Sequence, residues 1–428
     1  MLVFYLFLFL FFFFDKETFT PSYLTLLPTT GTAFIILSSS KENVVNKLLS
    51  GKILVSLGLI SYSLYLWHYP IFAFAKLQSQ NPISSFENIL LIFLTLLMSL
   101  ISWKIIEGPF RNKKIISKKI LFFTFFIFTS ILILASFLSM KFLPNLYFNT
   151  LNDKEKYNFK LIEKHTVYDY EKAIIDNSEC HFNSINLDNI FFKRYSECEK
   201  KYKKAVIILG DSHGINLYNI ITKSLDKKFI VGFTQVGCRP HNGKRENKKN
   251  NCLFNEYLDF LNKKRESIEY LIYHQSGALL IKDKYNGRSY YESNLKNELD
   301  RFIVNNENVL KIISYLSNIN NEVKILWVGP HIESHANFDN IKSFNNGFYV
   351  NKNNIKLFNK IEKNIENYLI NKRNNINFLP FSKIYKIDRN FLLFNECITF
   401  RDKDHFSRCG EDIISQSLKI QTIEEYFN

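Results

Sequence analysis

The sequence predicts α-helical transmembrane segments followed by an extracytoplasmic α/β domain built on a parallel sheet. Three observations carry that expectation. The first third of the 428-residue chain is dominated by Phe, Leu and Ile, whereas the remainder is rich in Lys, Asn, Glu and Tyr. From about residue 204 onward, short apolar runs alternate with longer helical stretches, the pattern of strand–helix units feeding a parallel sheet. All six cysteines, Cys180, Cys198, Cys238, Cys252, Cys397 and Cys409, lie in the polar part. An even number confined there suits disulfides in an oxidising compartment.

Five apolar segments, at about 1–14, 23–39, 53–76, 87–106 and 119–140, are read as spans, against the roughly 20 residues a bilayer requires. The first is short and has no basic n-region, so it reads as a span whose beginning is missing rather than a signal peptide. The second carries Pro28 and Gly31 and needs neighbouring helices to satisfy its backbone. The loop after it holds Lys41, Lys47 and Lys52, and the loop after the fourth holds Arg111, Lys113, Lys114, Lys118 and Lys119. The intervening loops carry mainly Lys16 and Lys76. The positive-inside rule places the basic loops in the cytoplasm and sends everything after about residue 141 outside. That orientation agrees with the cysteines.

His68 sits inside the third segment. A histidine in a membrane helix is costly and marks a pathway or site; an interfacial histidine beside an aromatic belt is the equal alternative. Glu107 and Arg111, at the end of the fourth segment, are expected to form an ion pair. The net charge of +15 does not indicate nucleic-acid binding, because the lysines are scattered and much of the excess flanks the spans. No cysteine pair has the short C-x-x-C spacing of a zinc or redox motif. Six cysteines allow about 15 connectivities. Proximity alone suggests Cys180–Cys198, Cys238–Cys252 and Cys397–Cys409, with free buried thiols as the alternative.

A polar, irregular connector is expected over 141–190. Strands are then expected at Ala205–Leu209, Phe229–Phe233, Ile268–Tyr273, Val323–Val328 and Ile376–Leu379, with helices such as 214–226, 253–264 and 294–318 between them. Sites in such sheets form at the carboxyl ends of strands, where Gly210-Asp211-Ser212-His213 falls. Gly210 allows a tight turn, and Asp211 or Ser212 can cap the following helix. The helix N-terminus offers free N–H groups to an oxyanion formed when Ser212 attacks an ester. Asp402-Lys403-Asp404-His405 stands near the chain's end. His405 is the candidate base, and Asp402 can accept from its Nδ1 and fix the tautomer. Each motif alone is weak: a capping serine and a solvated turn are both common. Together, in this order at opposite ends of one domain, they make a serine acyl-transfer set.

The pair resembles the SGNH hydrolase/acyltransferase superfamily, which implies a flavodoxin-like parallel sheet. Gln235-Val236-Gly237-Cys238-Arg239-Pro240 is similar to its glycine block, so Gly237 N–H joins Ser212 N–H as a second oxyanion donor; a simple turn glycine is the alternative. Tyr273-His274-Gln275-Ser276-Gly277 lacks the expected Gly-x-Asn, leaving Gln275 as the substitute. Trp327-Val328-Gly329-Pro330 resembles the fourth-strand end of acyltransferase-fused members. His213, Asp404 and Ser407 are assigned to packing, solvation and capping of the last helix. His274, His331 and His335 are left without a role, His331 as either a cleft or a loop residue. With no metal-ligand spacing and no phosphate loop, no metal is expected.

Ser61-Tyr62-Ser63-Leu64-Tyr65-Leu66-Trp67-His68-Tyr69-Pro70 closely resembles the late-helix signature of the membrane acyltransferase-3 family, which makes His68 its membrane-domain motif residue. Leu26-Leu27-Pro28-Thr29-Thr30-Gly31-Thr32-Ala33 and Glu107-Gly108-Pro109-Phe110-Arg111 look like its neighbouring segments. Only the last part of that domain is covered. Its early helices have no counterpart, so an N-terminally truncated reading frame is expected, with a separate polypeptide as one source of the missing half.

The combined resemblance implies three regions: a membrane part over 1–140, the connector over 141–190 and an SGNH domain over 191–428. It implies a bacterial inner-membrane, multi-pass O-acyltransferase with its C-terminal domain extracytoplasmic. The implied donor is acetyl-CoA, handled through the membrane domain, with no tightly bound cofactor. The implied acceptor is an envelope polysaccharide: lipopolysaccharide O-antigen, lipooligosaccharide, capsule or peptidoglycan. A membrane-anchored esterase and an inactive glycan-binding relic are the alternatives.

Overall fold

The computed structural model describes residues 26–37, 44–78, 83–111, 117–166, 179–240, 252–285, 287, 289–290, 301–370, 376–418 and 423–426. The chain divides into two units, Met1–Thr150 and Leu151–Asn428.

In the first unit the long helices are Lys52–Gln78, Ser85–Ser102 and Lys118–Thr150, the second continuing through a π-helical turn at Trp103–Glu107. Ser84 starts that second helix with a capping box: its Oγ accepts from Glu87 N–H, and the Glu87 carboxylate accepts from Ser84 N–H. Buried Ser63 donates to Glu107 Oε2 at 2.8 Å, which ties the helix Lys52–Gln78 to the next. The expected Glu107–Arg111 ion pair forms, at 2.6 Å.

Among the described residues two helices are long and apolar enough to cross a membrane, Ser85–Arg111 and Lys118–Leu143. They contain the expected segments 87–106 and 119–140. The segment 1–14 lies outside the described residues. The segment 23–39 yields a helix of 12 residues, Leu26–Leu37, short of the roughly 20 a bilayer requires. The segment 53–76 lies in a helix of 27 residues, but Ser61, Tyr62, Ser63, His68 and Pro70 dilute its apolar character.

Among the described residues the second unit has ten strands. They are β1 (His181–Asn183), β2 (Ala205–Gly210), β3 (Ile230–Thr234), β4 (Ile268–His274), β5 (Ile281–Asp283), β6 (Phe302–Val304), β7 (Lys324–Val328), β8 (Ile376–Leu379), β9 (Leu393–Phe394) and β10 (Cys397–Ile398). Six form one sheet in the order β1-β3-β2-β4-β7-β8, every pairing parallel. Every residue of β2 and β3 is buried. Burial on both faces is why these strands read as unbroken apolar runs rather than alternating ones. The five expected strands are present within a residue or so of their expected ends.

Two differences from expectation are informative. Residues 167–178 of the expected irregular connector 141–190 lie outside the described residues; in the rest of it the helix Lys118–Thr150 continues and the helix Asp153–Thr166 and the edge strand β1 form. That three-residue strand is too short to show periodicity; its position is set by pairing with β3. Of the expected helix at 294–318, residues 294–300 lie outside the described residues, and the remainder holds a strand, β6, followed by the helix Asn306–Ser317. Asn305 makes the break by accepting from Asn308 N–H. Further helices of this unit include Asn189–Tyr202 and Lys352–Ile370. All three neighbouring disulfides form, with Cα–Cα separations of 5.6, 5.5 and 6.0 Å.

From β2 the chain crosses to β3 on one side and then to β4 on the other. The strand order therefore reverses at the carboxyl ends of β2 and β4, where open parallel sheets form their crevice. Gly210, opposite Thr234 and His274 there, is needed for close approach. A Cβ on it would lie 2.0 Å from the backbone oxygen of His274. At Gly214 the nearest obstacle is the Thr234 methyl at 3.2 Å, which can yield. Gly210→Ala is therefore expected to destabilise the domain by roughly 1–3 kcal/mol or more. Gly214→Ala, which adds a better helix former, should change it much less. Denaturant midpoints of the two variants check this contrast.

Candidate active site

The site begins with a fully buried carboxylate. Asp211 is the N-cap of the helix Ser212–Ser224, and its Oδ1 accepts from His213 N–H at 2.9 Å. Its Oδ2 accepts from Arg239 Nε at 2.8 Å. Ser276 N–H lies 3.3 and 3.2 Å from the two oxygens. Burial pushes this carboxyl up, but Arg239, His213 and the backbone N–H groups outweigh it and hold it below its ordinary value. Asp211 rather than Ser212 is thus the cap. Among the described residues Ser212 Oγ, half-buried at the first helical position, makes no hydrogen bond.

His405 approaches from the other end of the sequence. The Asp402 carboxylate turns the chain locally, accepting from Asp404 N–H at 3.0 Å and His405 N–H at 2.7 Å. It also accepts from His405 Nδ1, at 2.9 Å to Oδ2. A donating Nδ1 leaves Nε2 with the lone pair, and Nε2 is buried without a partner among the described residues. Arg401 N–H donates to His405 O, and Phe400 pairs with Phe406, so the turn is closed at its base.

A second carboxylate faces the same ring. Asp404 was expected to be solvated; it is buried, 3.3 Å from His405 Nδ1 and 3.3 Å from His213 Nε2. The fold places it inward because both imidazoles supply donors. Burial alone would raise its carboxyl; those donors and their charge hold it well below the ordinary range. For His405, burial lowers the pKa, but the bonds to Asp402 and Asp404 prevail and raise it to about 10.

The two halves meet through the helix Ser212–Ser224. The His213 and His405 rings lie 4.9 Å apart. Asn216 accepts from Phe406 N–H at 3.3 Å and donates to buried Glu411 at 2.6 Å, and Asn219 donates to the same oxygen at 2.8 Å. Ser407 caps the last helix, accepting from Gly410 N–H, as expected. Among the described residues no hydrogen bond joins Ser212 Oγ to His405 Nε2; both atoms are unengaged.

Residues 167–419 match the family described as the SGNH domain fused to AT3 domains. The chain belongs to this family. Within the SGNH domain, Gly237 has φ +76°, a conformation that favours glycine. It sits in the turn closed by Cys238 N–H to Gln235 O and next to the Cys238–Cys252 disulfide. Its N–H makes no hydrogen bond among the described residues. Gln275 does not face the crevice as a donor. Its side chain is buried, accepting from Tyr273 Oη and donating to Ser276 O at 3.3 Å. In the other unit, His68 is exposed, and its Nδ1 lies 2.7 Å from Tyr65 O on its own helix.

Two curated relatives are similar over a short stretch. O-acetyltransferase OatA of Staphylococcus aureus (strain NCTC 8325 / PS 47) is 44% identical over 86 residues, 19% of this chain and 14% of that protein. Putative O-acetyltransferase SACOL0978 of Staphylococcus aureus (strain COL) is 35% identical over 88 residues, 20% and 14% respectively. The matches thus span 14% of the length of these relatives.

Sequence reasoning missed Arg239, Glu333 and Glu411 as buried polar anchors. Glu333 accepts from Ser276 Oγ at 2.8 Å and Ala278 N–H at 3.0 Å. Nothing in their local sequence marks them, because their partners are distant in the chain. The absence of metal-ligand spacing was also a sequence statement only: the fold gathers His213, His274 and His331, with one ring nitrogen of each within 4.8 Å of the others.

His405 is expected to titrate above its ordinary 6.5 in a histidine-resolved NMR titration. Asp402→Asn and Asp404→Asn should each move the midpoint down. The sign for stability follows from linkage. The raised folded pKa contributes stability that is full below about 6.5 and lost as pH rises through about 10.

Proposed function

We propose that this chain transfers an acyl group, of the acetyl class, to a hydroxyl of a cell-envelope polysaccharide. The observation that carries the reading is the Asp402–His405 pair, which leaves a buried, unpartnered Nε2 against the helix that begins at Ser212. Membership of the SGNH family and the similarity to an O-acetyltransferase support acyl transfer. Two helices long and apolar enough to span a bilayer support a membrane-anchored enzyme.

In the proposed mechanism Ser212 Oγ rotates toward His405 Nε2, attacks the acyl carbonyl and gives its proton to that nitrogen. The N–H groups of Ser212 and Gly237 hold the oxyanion. Collapse expels the donor's leaving group, which takes the proton from His405, and leaves acyl-Ser212. A sugar hydroxyl then attacks, with His405 again as base, and restores the serine. Asp402 orients the ring and Asp404 strengthens the imidazolium.

The donor we propose is the thioester acetyl-CoA on the cytoplasmic side, its acyl group passing through the membrane unit. That unit resembles the late part of an acyltransferase-3 domain. The proposed setting is the bacterial inner membrane, with residues from about 141 on the outer side. Acceptors of the proposed class are lipopolysaccharide O-antigen, lipooligosaccharide, capsule and peptidoglycan. An esterase would use the same side chains with water as acceptor. The membrane helices favour transfer, because hydrolysis requires no donor route.

The test uses the full chain in detergent with an activated acetyl ester, with and without envelope polysaccharide. Acetylated glycan, read by mass spectrometry, is expected, with loss on the order of 10⁴-fold in Ser212→Ala. Serine-dependent acetate release without glycan product would establish the esterase instead. Equal rates in wild type and Ser212→Ala would overturn both.

The base must be neutral to accept a proton, so kcat/KM should rise with pH through a limb displaced above 6.5. Asp404→Asn is expected to move that limb to lower pH. Asp402→Asn should mainly lower the rate, by removing the group that fixes the tautomer. A pH–rate series on the three proteins separates these effects.

A further inference from the structure

Three fully buried histidines meet beside the carboxyl ends of β2, β4 and β7: His213, His274 and His331. Their hydrogen bonds determine which nitrogens carry protons. His274 Nδ1 lies 3.2 Å from Val328 O. A carbonyl only accepts, so this nitrogen donates. His331 Nε2 lies 2.9 Å from Asp404 O and donates for the same reason. His213 Nε2 lies 3.3 Å from the Asp404 carboxylate and donates to it. In each neutral ring the other nitrogen then bears a lone pair.

Two of those lone pairs, on His274 and His331, are left facing one another. His274 Nε2 and His331 Nδ1 are 3.2 Å apart. The run from Val328 O through both rings to Asp404 O contains three contacts, and two neutral imidazoles supply only two protons. No choice of tautomers satisfies all three. His213 Nδ1 is buried with no partner among the described residues. An extra proton would create an imidazolium in a site without solvent, which burial opposes. A metal ion satisfies the lone pairs directly.

We propose that His213 Nδ1, His274 Nε2 and His331 Nδ1 form a buried site for a borderline divalent transition ion, of the zinc class. Two features of the rings fit. His274 Nδ1 and His331 Nε2 each donate to a backbone carbonyl, the arrangement that orients metal-bound imidazoles. The 3.2 Å between His274 Nε2 and His331 Nδ1 is close to the ~3.4 Å between two nitrogens bound at roughly 2.05 Å around tetrahedral zinc. The His213 and His331 rings are stacked, 4.4 Å apart and inclined by 17°. Binding therefore requires the His213 ring to turn about its Cβ–Cγ bond and aim Nδ1 at the ion.

The buried carboxylates of Asp404 and Asp211 supply compensating negative charge. The role is structural: the ion would hold His213, the neighbour of Ser212, to the ends of β4 and β7, where His331 Nε2 in turn donates to Asp404 O in the turn before His405. The inference is independent of the reaction proposed above.

The test uses the full chain in detergent, stripped with a chelator and dialysed against Zn²⁺. About one zinc per chain is expected by elemental analysis, with at least a 10-fold weaker Kd in His274→Phe, which keeps a ring of similar shape. His181→Asn, on the edge strand β1, should bind as wild type. X-ray absorption of zinc-loaded wild type makes the test independent of whether the variant folds. Three imidazole nitrogens at roughly 2.0 Å support the site. Binding well below one equivalent, unchanged binding in a folded His274→Phe, or a first shell without imidazole overturns it.

Discussion

The crevice of the SGNH domain depends on one buried ion pair. Asp211, fully enclosed, is held by Arg239 at 2.8 Å and by the backbone of His213 and Ser276. It joins the ends of three adjacent strands: its own position after β2, the loop after β3 that carries Arg239, and the loop after β4 that carries Ser276. A buried carboxylate without its partner is strongly destabilising, by about 3–5 kcal/mol, so these three loops are fixed together or not at all. Because Asp211 caps the helix, Ser212 Oγ is not consumed as a cap.

A similar economy governs His405. One carboxylate would orient the ring; two raise its proton affinity as well. A stronger base abstracts a proton more readily once neutral, but a smaller fraction of it is neutral near pH 7. The second carboxylate also binds His213, so ring orientation, charge and the position of the Ser212 helix are set by shared contacts. The surrounding polar groups follow the same rule. Glu333 and Glu411 are fully buried, and each accepts hydrogen bonds from more than one neighbour, as buried carboxylates must.

The first unit, Met1–Thr150, is organised by different physics. Among the described residues most of its large apolar side chains are exposed, and two of its helices are long and apolar enough to cross a membrane. Its polar contact between helices, Ser63 with Glu107 and onward to Arg111, uses residues that stand out in the sequence for the same reason: charge and hydroxyl are conspicuous in an apolar run.

The sequence by itself determined what is local or periodic. Five sheet strands were legible because burial on both faces leaves unbroken runs such as Val206–Leu209. The Ser407 cap and the Asp402–His405 contact were legible because their partners are three residues away. The disulfides matched because each closes a short loop of neighbouring cysteines. Tertiary structure decided the rest. Strand β1 is too short to have a period and exists through pairing with β3. Asp404, beside an expected solvated turn, is buried because two imidazoles from different segments meet it. Gln275 turns inward because Tyr273 and Ser276 engage its amide. The gathering of His213, His274 and His331 could not be read from spacing, since strand order, not sequence separation, brings β2, β4 and β7 side by side.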